Sequence, residues 1–248
     1  MLFRSRGGRV AALILDDGTE VTARQVISSI GAPETERLIT GEVLGGQGTT
    51  PAGNLSFAET ISVLNREPAE LGWGGDTIVF FNDSERFDYS RPQEDVDTRS
   101  GVICIPNNFE YGAGRRLPEG LLRVTCLARH DRWTAMPDEE YRTAKTQWFN
   151  AVQASARRFL PAPAGPVSPE ATLVATDMFT PRTITKFTGH FGGAVYGSPV
   201  KNRRGRTALA NLYLCGTDQG FLGIVGAMLS GISMANLHVL QGDSTAAR

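Results

Sequence analysis

Residues 211–240, NLYLCGTDQGFLGIVGAMLSGISMANLHVL, run from a short apolar strand through a glycine loop into a helix that opens at Gly223. A strand that feeds a helix through Gly216, Thr217 and Asp218 directs the free N–H groups of the helix start, and the positive end of its dipole, towards the loop. Gly223-Ile224-Val225-Gly226-Ala227 therefore offers backbone donors rather than side chains. The small residues Gly226, Ala227, Ser230, Gly231 and Ala235 let a second backbone or a flat ring come close. Asp218, at the end of the strand, has the position from which an acidic side chain accepts a polyol hydroxyl in dinucleotide sites. This is the pattern of a phosphate or cofactor cradle. Taken alone it also fits an ordinary strand-turn-helix unit that happens to contain glycines.

The remainder divides around two boundaries. Residues 10–15 form a strand that turns at Asp16-Asp17-Gly18 and continues into two more β-prone segments, the last ending at Ile30. Gly31-Ala32-Pro33 turns into a short helix over 34–39. Residues 41–53, rich in Gly, Thr and Pro, mark a crossover. Strands are predicted over 56–64, 77–81, 102–105 and 121–127, as one mostly antiparallel sheet. Tyr141, Ala144, Trp148, Val152, Ser155 and Phe159 recur at helical spacing between Pro137 and Pro161, so one helix covers that sheet. The fold class expected is mixed α/β, with domain pieces at 1–50, 51–179 and 180–248.

Composition narrows the chemistry. Twenty-five Lys plus Arg against 26 Asp plus Glu give a net charge of −1, which supplies no field for nucleic acid. Cys104, Cys126 and Cys215 show no metal-ligand spacing and sit in apolar runs, as reduced thiols of a cytoplasmic protein do. No metal site is expected. No run reaches the roughly 18–20 apolar residues of a membrane span, which leaves peripheral membrane contact as the membrane mode open to the chain.

Leu212-Tyr213-Leu214-Cys215-Gly216, followed by Gly223-Ile224-Val225-Gly226-Ala227, resembles the L-Y-x-x-G turn and G-x-x-G-A helix opening of the phytoene desaturase, carotene isomerase and retinol saturase group. Residues 180–199, TPRTITKFTGHFGGAVYGSP, are similar to the group's T-P-x-T segment and the G-x-x-Y-G that follows it. Residues 9–35 resemble its hairpin and return strand. The resemblance implies FAD, held at Gly31, Ala32, Gly216, Thr217, Asp218, Gly223, Ile224, Val225, Gly226 and Ala227. It implies hydride transfer between flavin and an apolar polyene such as a carotenoid or retinoid. Tyr196 and His190, expected beside the flavin ring, are the candidate catalytic residues.

Departures accompany the matches. The loop from Gly216 to Gly223 contains no proline, whereas many of the group have an H-P-G or F-P-G step there. No G-x-G-x-x-G follows a strand, so the expected domain is a partial Rossmann-like one, lacking its amino-terminal βαβ unit and leaving an exposed sheet edge. The opening MLFRS reads as adapter sequence ahead of a truncated frame, and a separate FAD-binding segment is the expected partner. An amine oxidase-like flavoprotein and a non-catalytic half-site are the alternatives. The basic run Lys201, Arg203, Arg204 and Arg206 could hold a nicotinamide dinucleotide phosphate or an anionic lipid headgroup, while a solvated hairpin loop ahead of the Leu212 strand is the plainer reading. Trp73, Phe80, Phe81, Phe87, Tyr89 and Trp133 line an apolar tunnel or fill the sheet core. His130 and His238 are expected to be structural.

Overall fold

A computed structural model describes residues 1–41, 50–163 and 168–241. The chain is mixed α/β and divides into two compact units, Met1–Gly53 with Gly189–Arg248, and Asn54–Thr188.

The first unit starts with an antiparallel meander of β1 (Leu2–Arg6), β2 (Arg9–Ile14) and β3 (Glu20–Val21). In β1, Phe3 is buried against Val10, Leu209 and Leu212. Gly7 and Gly8, both at positive φ, close the β1–β2 hairpin, because a two-residue turn of the primed kind needs residues free of a Cβ clash. The turn at Asp17-Gly18 holds as read, with Thr19 N–H donating to Asp17 Oδ1 at 2.9 Å. β4 (Val26–Ser28) leaves the meander, and the chain enters α1 (Ala32–Thr40) through Gly31 at φ 112°. The predicted crossover lies largely in 42–49, outside the described residues.

In the second unit, β5 (Ser56–Leu64), β6 (Ile78–Asn82), β7 (Ser100–Cys104) and β8 (Gly120–Ala128) are the predicted strands. Two short-range features follow: α2 (His130–Ala135) and the long α3 (Asp138–Arg157). β9 (Leu173–Phe179), not anticipated, pairs with β5 and completes an antiparallel sheet of order β6-β7-β8-β5-β9. Alternation along β5 and β8 turns Ala58, Leu64, Leu122, Val124 and Cys126 to the face where α3 contributes Ala144, Val152 and Ala156. Gln153 of α3 donates to Thr60 Oγ1 at 2.7 Å within that core. Burial pushes the Cys126 thiol up to about 12, which keeps it protonated and inert. Trp73, Phe81 and Trp133 are core; Phe80, Phe87 and Tyr89 are exposed, so the six aromatics do not form one lining.

α4 (Pro181–Thr188) takes up the T-P-R-T residues from Pro181 on, with Thr180 just before it. It belongs to this second unit, where Thr185 Oγ1 lies 2.9 Å from His130 Nε2 and Thr180 Oγ1 lies 3.0 Å from the Tyr141 hydroxyl. The segment expected to border the flavin with 189–199 is therefore divided between the units.

The chain returns to the first unit with β10 (Leu212–Leu214), parallel to β4, and α5 (Gly223–Ala235), which runs on through a wide turn at Asn236–Leu240. The buried Asn211 side chain substitutes for a strand neighbour: Oδ1 accepts Val10 N–H at 2.7 Å, and Nδ2 donates to the carbonyls of Val10 and Arg24. Among the described residues, β4 has no strand on its side away from β10, but the side of β10 away from β4 is covered. Arg206 bridges to Tyr213, and Leu214 N–H donates to Gly205 O at 2.6 Å, so the chain's own loop covers it. Gly205 sits at φ 63°, and a Cβ there would meet Leu214 O at 2.4 Å and Met234 Sδ at 2.5 Å. Gly205→Ala is expected to destabilise the first unit by about 2–4 kcal/mol, the sum of left-handed strain and a backbone clash. Faster hydrogen exchange at Leu214 would show it, and an unchanged rate would refute it.

Composition alone underrated α5. Gly223–Leu240 is long and apolar enough to cross a membrane by length and composition, with a mean hydropathy of 1.5 and 17% of it buried. Ser230, Met234 and His238 form the buried stripe, while Ile224, Val225, Met228 and Ile232 are exposed.

Candidate cofactor site

Asp218 organises the first unit. Gly216, at φ 85°, swings the chain out of β10 into a short turn, Thr217–Gln219, which places Asp218 at 2% exposure. Its Oδ2 accepts Ala32 N–H at 2.5 Å, and its Oδ1 accepts Ser198 N–H at 2.6 Å. One carboxylate thus joins the glycine loop, the start of α1 and the turn after Tyr196. Lys201 Nζ lies 3.7 Å from Oδ1, a cation close enough to support the buried charge. Both oxygens engage backbone amides. Gly197 has no Cβ because one would meet Asp218 Oδ1 at 2.1 Å.

A second buried carboxylate was not foreseen. Glu34 lies in the first turn of α1, where an acid suits the helix dipole, and its Oε1 accepts Phe191 N–H at 2.7 Å. His190 Nδ1 is 3.5 Å from the same oxygen. Burial works to raise the Glu34 pKa, yet the His190 and Phe191 hydrogen bonds outweigh it and hold it below the usual value. The Glu34 hydrogen bond, working against burial, raises that of His190. Because the folded His190 pKa is raised, its contribution to stability is complete below the ordinary value of 6.5 and is lost as pH rises through the folded value. Glu34, with a lowered folded pKa, contributes above 4.5 and loses that contribution as pH falls through its folded value. The pair is strongest between 4.5 and 6.5. Glu34→Gln should lower the His190 pKa, as loss of a nearby carboxylate does. A titration of the His190 ring protons by NMR checks this, and an unmoved pKa would sever the pair.

The loop is tied to α5 by a buried relay invisible in the sequence. Gly216 N–H donates to Ser230 Oγ at 2.7 Å, Ser230 donates to Gln219 Oε1 at 2.5 Å, and Gln219 Nε2 donates to Arg203 O at 3.0 Å. An eleven-residue spacing between Gln219 and Ser230 carries no sequence signal. It fixes the loop against the helix without capping it: no side chain caps α5, whose first residues are exposed. A Cβ at Gly223 would meet nothing within 4 Å, so space lies open before the helix start. Gly226 is small for another reason, since a Cβ there would approach Phe221 C to 3.0 Å.

The expected cofactor residues thus fall into two groups. Gly31, Ala32, Gly216, Thr217 and Asp218 form an interlocked support. Gly223, Ile224 and Val225 present an uncapped, outward helix end, with Gly226 and Ala227 half-buried behind it. Tyr196 is exposed, and its carbonyl accepts a hydrogen bond from Lys201. His190 belongs to the Glu34 pair.

No family model matches the chain, and no curated protein matches it. Among solved structures it is similar to BrvH, a flavin-dependent halogenase from Brevundimonas sp. BAL3, at 16% identity and a TM-score of 0.39, over 96% of this chain and 36% of that one. It is also similar to Xcc4156, a flavin-dependent halogenase from Xanthomonas campestris, at 13% identity and a TM-score of 0.35, over 96% of this chain and 33% of that one. The chain spans about a third of the length of these two structures.

Proposed function

We propose that this chain supplies one part of the FAD site of an oxidoreductase acting on an apolar polyene by desaturation, saturation or isomerisation. The observation that carries the reading is the uncapped amino end of α5 facing open space, held in place by the Gly216–Ser230–Gln219 relay. When bound, FAD supplies hydride chemistry that side chains cannot perform. The chain's own residues place and stabilise. The N–H groups of Gly223, Ile224 and Val225 favour negative charge at the helix end. The sheet face opposite α3 carries half-buried Phe57, Ile61, Val63, Leu121 and Leu127 around a central Glu59–Arg123 ion pair, so apolar contact for a polyene is available there only on either side of that pair. Tyr196 and His190 remain the candidates for orienting substrate or holding a proton.

The partner in this reading is a G-x-G-x-x-G segment of the desaturase type, which would complete the pyrophosphate site. Mixing the chain with such a segment and FAD should yield a yellow complex in gel filtration, bleached anaerobically by a polyene and not by an amine. Absence of retained flavin from the mixture would overturn the reading, and stoichiometric FAD on this chain alone would overturn its division of the site. Val225→Asp supplies an internal check of opposite signs. An acid in the first turn should stabilise α5 by about 0.3–1 kcal/mol while repelling an anionic ligand there. A higher melting temperature with unchanged flavin retention would show that the helix end does not meet the cofactor.

A further inference from the structure

Beyond the helix end, the first unit contains a cleft of about 520 Å³ lined by Lys201, Asn202, Arg203, Arg204 and Arg206, with Ala32, Thr50, Pro51, Val200 and Leu214 completing it. A solvated hairpin loop, the plainest reading of the basic run, needs no fixed backbone. This loop has one. The carbonyl of Arg203 accepts from Gln219 Nε2 at 3.0 Å, that of Arg204 lies 2.8 Å from His238 Nε2, and that of Arg206 accepts from Asn202 Nδ2 at 2.6 Å. Asn202 N–H in turn donates to Asp218 O at 2.7 Å, and Gly205 N–H donates to Asn202 O at 2.9 Å. His238 reaches its place by stacking on Tyr213, the ring centroids 4.0 Å apart.

Each arginine is therefore anchored through its main chain, while all three side chains are exposed. Among the described residues, the guanidinium groups of Arg203, Arg204 and Arg206 make no ion pair or hydrogen bond. Lys201 differs, since its ammonium is engaged by the Tyr196 carbonyl and lies near Asp218. Three unneutralised guanidiniums carried on a loop whose backbone is fixed can meet an oxyanion without the cost of ordering a mobile loop. Val200, Pro51 and Leu214 add apolar wall beside them, which a bare inorganic anion would not use.

We infer that this cleft binds a soluble nucleoside phosphate, its phosphates on Arg203, Arg204 and Arg206 and its base and sugar against Val200 and Pro51. The site differs from the uncapped end of α5 and does not depend on flavin being the cofactor there.

A fluorescent N-methylanthraniloyl ADP titrated into the full chain tests it. Binding should saturate, weaken with added salt, and be competed by pyrophosphate but not by adenosine. Arg203→Gln with Arg206→Gln should weaken it at least roughly tenfold, as loss of two charge-assisted contacts does. Those side chains hold nothing in the fold, so circular dichroism should be unchanged. Arg115→Gln with Arg116→Gln, an exposed basic pair in the second unit, should leave affinity as it was. Non-saturable binding, equal loss in both double variants, or affinity only for phosphatidylglycerol vesicles would overturn the assignment, the last giving these cations to a lipid headgroup.

Discussion

Asp218→Ala should cost the first unit about 3–5 kcal/mol, because the amides of Ala32 and Ser198 both lose a charged acceptor in a place water does not reach. The effect exceeds that of an ordinary hydrogen-bond deletion for a topological reason. Ala32, Ser198 and Asp218 lie on three segments far apart in sequence, and the carboxylate is what they share. Asp218→Asn should lose less, about 1–3 kcal/mol, since its carbonyl oxygen still serves one amide while its NH₂ opposes the other. Hydrogen exchange resolved at Ala32 and Ser198 is the suitable measurement, because tryptophan emission cannot report here: Trp73, Trp133 and Trp148 all lie in the second unit. Equal protection of both amides in wild type and Asp218→Ala would refute the clamp.

Trp133→Ala should be the most damaging truncation in the second unit, at about 3–5 kcal/mol. Its side chain is fully buried, its Nε1 donates to Asp95 O at 3.0 Å, and its ring meets Tyr141 edge-on at a centroid distance of 5.8 Å. Asp95 also accepts from Trp148 Nε1, at 3.0 Å, through Oδ2. Loss of Trp133 thus removes a volume, a hydrogen bond and the partner of a residue that positions a second tryptophan. Trp133→Phe should retain much of the packing and lose the hydrogen bond, for about 1–2 kcal/mol. Urea unfolding followed by Trp73 and Trp148 emission would separate the two variants, and a Trp133→Phe midpoint equal to that of the wild type would refute the hydrogen-bond contribution.

What was legible in the sequence follows from which interactions are periodic. Alternation marked β5 and β8, and three-and-four spacing marked α3, because burial on one face leaves a repeating imprint. β9 left little imprint: Val174 to Asp177 are exposed, so no alternation records the strand that backbone pairing makes. β1 (Leu2–Arg6) was not read as a strand, although Gly7-Gly8 is a recognisable hairpin turn. At the candidate site, the glycine loop and helix start were readable, since glycines at positive φ and an uncapped helix leave local marks. The supports were not. Glu34, Gln219, Ser230 and Asn211 act through single contacts across long stretches of chain, and an isolated polar residue looks the same in sequence whether it faces water or a buried amide. Asp218 was singled out as an acceptor, but its bonds to Ala32 and Ser198 N–H were not readable.

The loop that runs along β10 has a kinetic meaning. Because Gly205 and Arg206 already occupy the side of β10 away from β4, any further strand offered there enters by exchange, not by simple addition. The incoming strand must wait for Leu214 N–H to leave Gly205 O, and for the anchors from Gln219, His238 and Asn202 to release with it. Assembly at that side would then proceed at a rate that levels off as the incoming partner is made more concentrated, set by how often this chain lets go of its own loop.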